Sequence, residues 1–134
     1  GHLIDLMATC VDVGGAKYPE KFNGKEITPR QGVSLQPAFL GKPLGRSQPI
    51  FWEHEGNRAL RDGKWKLVAK GANGPWELYD IEADRTELND LSQEHADRAK
   101  NMAGRWETWA IAAKAKPWPW GPKKKKPARE KKKK

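Results

Sequence analysis

Four runs of strand-forming residues follow one another between residues 49 and 81, and this spacing constrains the fold more than any other feature. The runs are "PIFWEHE" (49–55), "RALR" (58–61), "KWKLVAK" (64–70) and "WELYDI" (76–81). Gly56-Asn57, Asp62-Gly63 and the loop "GANGP" separate them, and Asp62-Gly63 is a two-residue type I′ hairpin signal. The spacing predicts an antiparallel sheet of four strands. With Asp62-Gly63 as the loop, Arg61 faces Lys64, Leu60 faces Trp65 and Arg58 faces Leu67. Alternation then gathers Arg58, Leu60, Trp65 and Leu67 on one face, and Ala59, Arg61, Lys64, Lys66 and Val68 on the other. A guanidinium on an apolar face is costly unless paired, so Arg58 is expected to hold a carboxylate. Asp80, Glu77 and Glu53 are the candidates, and a structural role for Arg58 is favoured over ligand binding.

Helical periodicity brackets this sheet. Ser92 is read as the cap of a last helix, with Glu94 in its first turn. The apolar stripe of that helix is Ala99, Met102, Ala103, Trp106, Trp109, Ala110 and Ala113. Trp106 and Trp109 are read as plugs against the sheet. At the front, "HLIDLMATCVDV" (2–13) spaces Leu3, Leu6, Met7, Cys10 and Val13 as one apolar side, with Asp5 and Asp12 outside and Gly14-Gly15 as the stop. Residues 16–48 read as connecting loop with one short helical turn, capped by Ser34, entered through Pro37 and left at Gly41. Residues 114–134 are a Pro-, Trp- and Lys-rich tail expected to be disordered, in which Trp118 and Trp120 either fold back or wait for a partner.

The net charge of +9 belongs to that tail. Residues 123–134 hold eight lysines, one arginine and one glutamate, so the preceding 122 residues are almost neutral. A lysine block without aromatics binds polyanions by charge alone. Cys10 is the single cysteine, which excludes an internal disulfide, and its place on the apolar side suggests a buried, inert thiol. No run approaches the ~20 apolar residues of a membrane span. The chain opens on Gly1 with a helical pattern already running, so its front is expected to have been removed.

Chemistry is sparse. His2, His54 and His95 have no metal-ligand spacing, Ser34, Ser47 and Ser92 lie outside any nucleophile elbow, and no glycine-rich loop follows a strand. His95, in a helix's first turn, is read as solvent-facing. His54 stands out. It lies between Glu53 and Glu55 at a strand end, where carboxylates favour the imidazolium, and it projects either toward an adjoining surface or simply into solvent.

The order of four motifs resembles the sulfatases. "HLIDLMATCVDVGG" is similar to the family's late helix, His-x-x-Asp-(Leu/Val)-x-Pro-Thr-Leu-Leu-x-Leu-Ala-Gly. "GVSLQPAFLGK" resembles its Gly-x-Ser-Leu-x-Pro-x-Leu-x-Gly stretch. "RALRDGKWKLV" resembles its Arg-Ala-(Val/Ile/Leu)-Arg-x-Gly-x-(Trp/Tyr)-Lys-Leu-(Val/Ile) hairpin, and "WELYDIEADRTELNDLS" the acidic segment that follows. Ala8, Cys10 and Arg85 depart from the pattern where the family has proline, leucine and proline. The wording is closest to bacterial arylsulfatases of the type I, formylglycine-dependent class, and covers residues 2 to about 110.

The resemblance implies an α+β architecture. Residues 49–113 form a small four-stranded antiparallel sheet packed against a C-terminal helix, the C-terminal subdomain of the alkaline-phosphatase-like sulfatase fold. Residues 1–15 are then the last helix of a missing large domain. The Cys-x-Pro-Ser-Arg nucleophile, the calcium carboxylates and the catalytic His and Lys fall outside the resemblance, so Cys10 is not the nucleophile. This chain is expected to bind no cofactor and to lack activity alone, while the intact parent implies calcium and formylglycine. The implied partners are the large domain and a sulfate ester, with no membrane, and export to the periplasm or medium is usual in the family. His54, and less directly Asn57, are the residues implied at the substrate-pocket rim, with Arg58, Asp80, Trp65, Trp106 and Trp109 structural. The competing expectation is a free-standing module whose lysine tail holds an anionic polymer.

Overall fold

The computed structural model describes residues 1–116 and 118, so Trp120 and the lysine block lie outside the described residues. The chain divides into two compact units, Gly1–Ser47 and a second from Gln48 onward.

The first unit holds α1 (Asp5–Val13), a two-stranded hairpin of β1 (Lys21–Phe22) and β2 (Lys25–Glu26), and α2 (Gln36–Phe39). The helix α1 forms where its periodicity places it, but the covered side is the opposite one. Asp5 and Ala8 are fully buried, whereas Leu3 is 77% and Val13 60% exposed, and Leu6, Met7 and Cys10 are exposed as well. The reason is polar. The Asp5 carboxylate accepts hydrogen bonds from the backbone N–H of His2 (2.7 Å) and of Val33 (3.0 Å), and from the Arg46 guanidinium. One turn on, the Thr9 hydroxyl donates to the Asp5 carbonyl (2.7 Å) and accepts from Leu35 N–H (2.9 Å). Residues 33–35 thus dock on the Asp5–Ala8–Thr9 side, where neighbours three and four apart share a face. The expected burial of Cys10 and exposure of Asp5 are both reversed.

The stretch read as loop also contains the β1–β2 hairpin, turned by Asn23-Gly24, the dipeptide favoured in type I′ turns. In α2, Ser34 Oγ accepts from Gln36 N–H at 3.2 Å and Pro37 occupies the first turn.

The second unit is the four-stranded antiparallel sheet, β3 (Ile50–His54), β4 (Asn57–Asp62), β5 (Trp65–Ala69) and β6 (Glu77–Asp80), in the order β3-β4-β5-β6. Both tight turns sit one residue away from their predicted places. Glu55 and Gly56, at φ 52° and 85°, form the β3–β4 loop, and both central residues at positive φ are what a type I′ turn requires. Gly63-Lys64 forms the β4–β5 loop, with Gly63 alone at positive φ in the first central position, as in a type II′ turn. Leu60 therefore pairs with Leu67 and Arg58 with Ala69. The register differs by two residues from the predicted one, and a slip of two leaves every side chain on its face. Asp62 remains in the ladder opposite Trp65 and accepts from Arg105 Nη1 at 2.6 Å.

α3 (Ala96–Ala112) covers one face of the sheet. Leu60, Leu67 and Leu78 are wholly buried, one from each of three strands, and meet Ala99, Met102, Trp106 and Ala110 of the helix. Trp106 Nε1 donates to the Trp52 carbonyl at 2.9 Å, and Phe51 stacks on Trp109 with centroids 5.1 Å apart. Ser92 does not cap α3. Asp90 takes it instead, accepting from Ser92 N–H, from Ser92 Oγ–H and from Leu78 N–H. The helix starts four residues later, with His95 at the N-cap position and Asp97 as its first-turn acid. No helix among the described residues is long and apolar enough to cross a membrane.

Candidate functional site

The face of the sheet away from α3 is open. Period-2 alternation brings Trp52 and His54 of β3 to it, and cross-strand pairing sets Asn57 opposite His54, Ala59 opposite Trp52 and Val68 beyond Ala59. These residues wall a groove of about 520 Å³ that also takes in Lys66, Glu77 and Glu87. His54 stands exposed at the β3 end, beside the Glu55-Gly56 turn.

Its expected carboxylate neighbours are placed differently. Glu53 alternates to the opposite face, where its carboxylate accepts from Gly56 N–H at 2.9 Å and holds the turn, and Glu55 lies in the turn itself. Asn57 is already braced, its Oδ1 accepting from Gly71 N–H at 2.9 Å. Within the groove Lys66 pairs with Glu87 at 2.5 Å, and Glu77 accepts from the Tyr79 O–H at 2.8 Å. Burial pushes the Tyr79 phenol up to about 12, helped by the Glu77 carboxylate, so it stays a neutral donor across the physiological range. The groove therefore offers aromatic surface and hydrogen-bonding groups, with Lys66 engaged by Glu87 and Lys70 exposed.

Arg58 requires a correction. It has no carboxylate partner among the described residues. All three candidates are engaged elsewhere: Asp80 with Lys64 at 2.6 Å, Glu77 with Tyr79, and Glu53 with Gly56. The guanidinium lies 4.3 Å from the Trp76 ring centroid and 5.7 Å from that of Trp106, and donates through Nη2 to the Gly74 carbonyl at 2.8 Å. A guanidinium is weakly hydrated and stacks on aromatic faces, so two indoles and a carbonyl replace the expected ion pair. Its buried Nε has no hydrogen-bond partner among the described residues.

Asp80 joins β6 to the acidic loop. Its pairing with Lys64, and the N–H groups of Glu82 and Ala83, hold its carboxyl below the ordinary range. Trp65 packs edge-on to His95 at 5.0 Å and under Arg98 at 4.7 Å, so His95 is half-buried rather than solvent-facing. Trp118 folds back onto the body, walling a pocket of about 290 Å³ with Gly56, Arg58 and Trp106. Sequence reasoning missed the groove, although the period that placed His54 also places Trp52 beside it.

The calcium and formylglycine implied for a whole sulfatase do not fit these residues. Among the described residues no three His, Cys, Asp or Glu side chains converge, and Cys10 lies in Thr-Cys-Val-Asp, outside any Cys-x-Pro-Ser-Arg setting.

No protein-family model matches the chain. An uncharacterized sulfatase of Schizosaccharomyces pombe is 29% identical over 110 residues, 78% of this chain and 20% of that protein. The choline-sulfatase of Rhizobium meliloti is 32% identical over 97 residues, 67% of this chain and 17% of the relative. The chain thus spans about a fifth of the length of these relatives. Among solved structures, Ps i-CgsB in complex with k-i-k-neocarrahexaose superposes with a TM-score of 0.62 at 28% identity, over 81% of this chain and 24% of that one. BT1596, a 2-O GAG sulfatase, shares the fold at a TM-score of 0.59 and 23% identity, over 83% and 25% of the two chains. Motif order, sheet topology and these likenesses converge: the chain belongs to the sulfatases, and its sheet and α3 form the C-terminal subdomain of their alkaline-phosphatase-like fold.

Proposed function

We propose that this chain serves a sulfuric ester hydrolase, cleaving a sulfate ester with water to alcohol and sulfate, as the subdomain that closes one side of the substrate pocket. The observation that carries the reading is the paired match to two sulfatases over most of this chain but only 20% and 17% of theirs. The catalytic centre then lies in the remainder of the enzyme, and this chain alone is inactive. The bare apolar side of α1 supports that arrangement. Leu3, Leu6, Met7 and Val13 expose a contiguous surface of the kind that marks a contact site.

Within this reading His54 stands at the pocket rim with Asn57 beside it. An imidazole there donates to, or accepts from, the alcohol part of the ester. Because Oδ1 of Asn57 is engaged by Gly71, its amide N–H groups are the ones that remain to face a substrate. Contacts to the non-reacting part of a substrate act on binding more than on the chemical step. His54→Ala in the full-length enzyme should therefore raise KM about tenfold for at least one sulfate ester, a loss of about 1.4 kcal/mol, with kcat changed far less. Unchanged kcat and KM across aryl, choline and carbohydrate sulfates would remove His54 from the rim. The hexaose bound by Ps i-CgsB supports a carbohydrate ester, and the choline-sulfatase supports a small one.

A further inference from the structure

The open sheet face continues past the groove at His54. A second cavity of about 580 Å³ adjoins the first, and Trp52, Lys66 and Glu87 wall both. Strand pairing sets the order along this face. Asn57, Ala59 and Arg61 alternate onto it from β4, opposite His54, Trp52 and Ile50 of β3. At about 3.3 Å per residue the face runs about 13 Å from Asn57 to Arg61, with Trp52 midway. The indole of Trp52 is 36% exposed, while its backbone carbonyl is held by Trp106 Nε1 at 2.9 Å, so this aromatic surface stands on the core. At the far end are Arg61 and Arg85, both exposed. Arg61 donates through Nε to the Gly63 carbonyl at 3.2 Å, and neither guanidinium joins an ion pair among the described residues. Lys66 answers Glu87, so the two arginines against Glu82 leave this cavity one positive charge in excess.

We propose that this second cavity is a subsite for a neighbouring sulfated sugar, with Trp52 under its ring and Arg61 and Arg85 on its sulfate. The proposal rests on the sulfatase reading above, with His54 at the rim, and adds the substrate class to it. A pyranose ring has a C–H face that buries on an indole and a hydroxyl edge that hydrogen-bonds. That mixture suits a groove of aromatic surface with a few placed polar groups. A guanidinium holds a tetrahedral oxyanion through two parallel N–H donors, and Arg61, with Nε engaged, retains its Nη groups for that contact. The sugar that carries the scissile ester then lies toward His54, and the next one lies over Trp52. An ester without a second sugar reaches only the His54 end and gains nothing from the arginines.

The test uses the full-length enzyme with Trp52→Ala, Trp52→Phe and the double change Arg61→Gln with Arg85→Gln. Galactose- and glucosamine-based disaccharides bearing one sulfate or two are titrated by calorimetry, and KM is measured for them and for p-nitrophenyl sulfate. The double change should lower affinity for the best disulfated sugar about tenfold, to that of its monosulfated form. Trp52→Ala should weaken both forms about tenfold, and Trp52→Phe should restore most of the loss. In every variant KM should rise more for the disaccharides than for p-nitrophenyl sulfate. Equal rises on both kinds of substrate with a lowered Tm would mean that the rest of the enzyme covers this face, and would overturn the subsite. So would equal affinity of the parent enzyme for one sulfate and two, no binding of any sulfated disaccharide, or tighter binding of adenosine monophosphate. Failure to hydrolyse any sulfate ester would sink the sulfatase reading instead, and calorimetry would still judge the groove.

Discussion

α1 and α3 are both amphipathic helices recognisable by the same periodicity, yet they meet opposite fates. The stripe of α3 is buried under a sheet of matching apolar residues, with Met102 and Trp106 almost inaccessible. The stripe of α1 is bare, and the side that is covered carries a carboxylate. Periodicity shows where a helix is apolar. It does not show which side the same chain covers, because that depends on what the remaining residues offer. The second unit offers three leucines on a sheet face, worth about 1.5–3 kcal/mol each when buried. The first offers two backbone N–H groups and an arginine, and these bind Asp5.

The contrast is broken most severely at Trp106. Trp106→Ala would empty the centre of the α3–sheet interface and free the Trp52 carbonyl, costing about 3–5 kcal/mol. Urea unfolding followed by far-UV circular dichroism would measure it, and a loss below about 1 kcal/mol would show that α3 is not held by this core.

The first unit should break through charge. Asp5→Ala leaves Arg46 and the His2 and Val33 N–H groups without their acceptor, at about 3 kcal/mol. Amide exchange at Val33 and Leu35 would report it, and exchange there no faster than in the parent chain would place the first unit's stability elsewhere. Burial raises the Asp5 carboxyl, but the N–H groups of Val33 and His2 and the Arg46 guanidinium outweigh it and hold the group below its ordinary value. The folded value is thus the depressed one. The stabilisation is complete above the unfolded value near about 4 and is lost as pH falls through the folded value. Acid should accordingly accelerate exchange at Val33 and Leu35 in the parent chain and leave Asp5→Ala far less responsive.

The sheet was readable because its information is local. Turn dipeptides and alternation lie within a few residues of each other, and the faces survived even a register that differed by two. Arg58 shows what is not local. Its partners, Gly74, Trp76 and Trp106, come from a loop, a strand flank and a helix up to 48 positions away. Charge matching among nearby acids pointed to the wrong chemistry, because each acid already had a closer donor. Asp5 was misplaced for the same reason, its acceptor role depending on residues 33 and 46. His54 and Asn57 are candidates on motif position and alternation together, whereas the placement of Trp118 required the folded chain. Nothing in "KPWPWGP" specifies that an indole returns to Gly56.

The smallest expected effect is also the sharpest test of the contrast. Leu6 and Met7 are 55% and 56% exposed, so Leu6→Ser and Met7→Ser should each change the stability of this chain by less than about 0.5 kcal/mol. The same substitutions should lower binding of a hydrophobic dye, because they remove the surface to which the dye adheres. In a full-length sulfatase the proposed contact covers that side, and each substitution should then cost about 1–3 kcal/mol, the scale of a side chain withdrawn from water. Equal effects in the two contexts would mean that the α1 stripe faces solvent in the whole enzyme too. A cost above about 2 kcal/mol in this chain alone would mean that residues 1–134 cover it themselves, and the opposition between α1 and α3 would disappear.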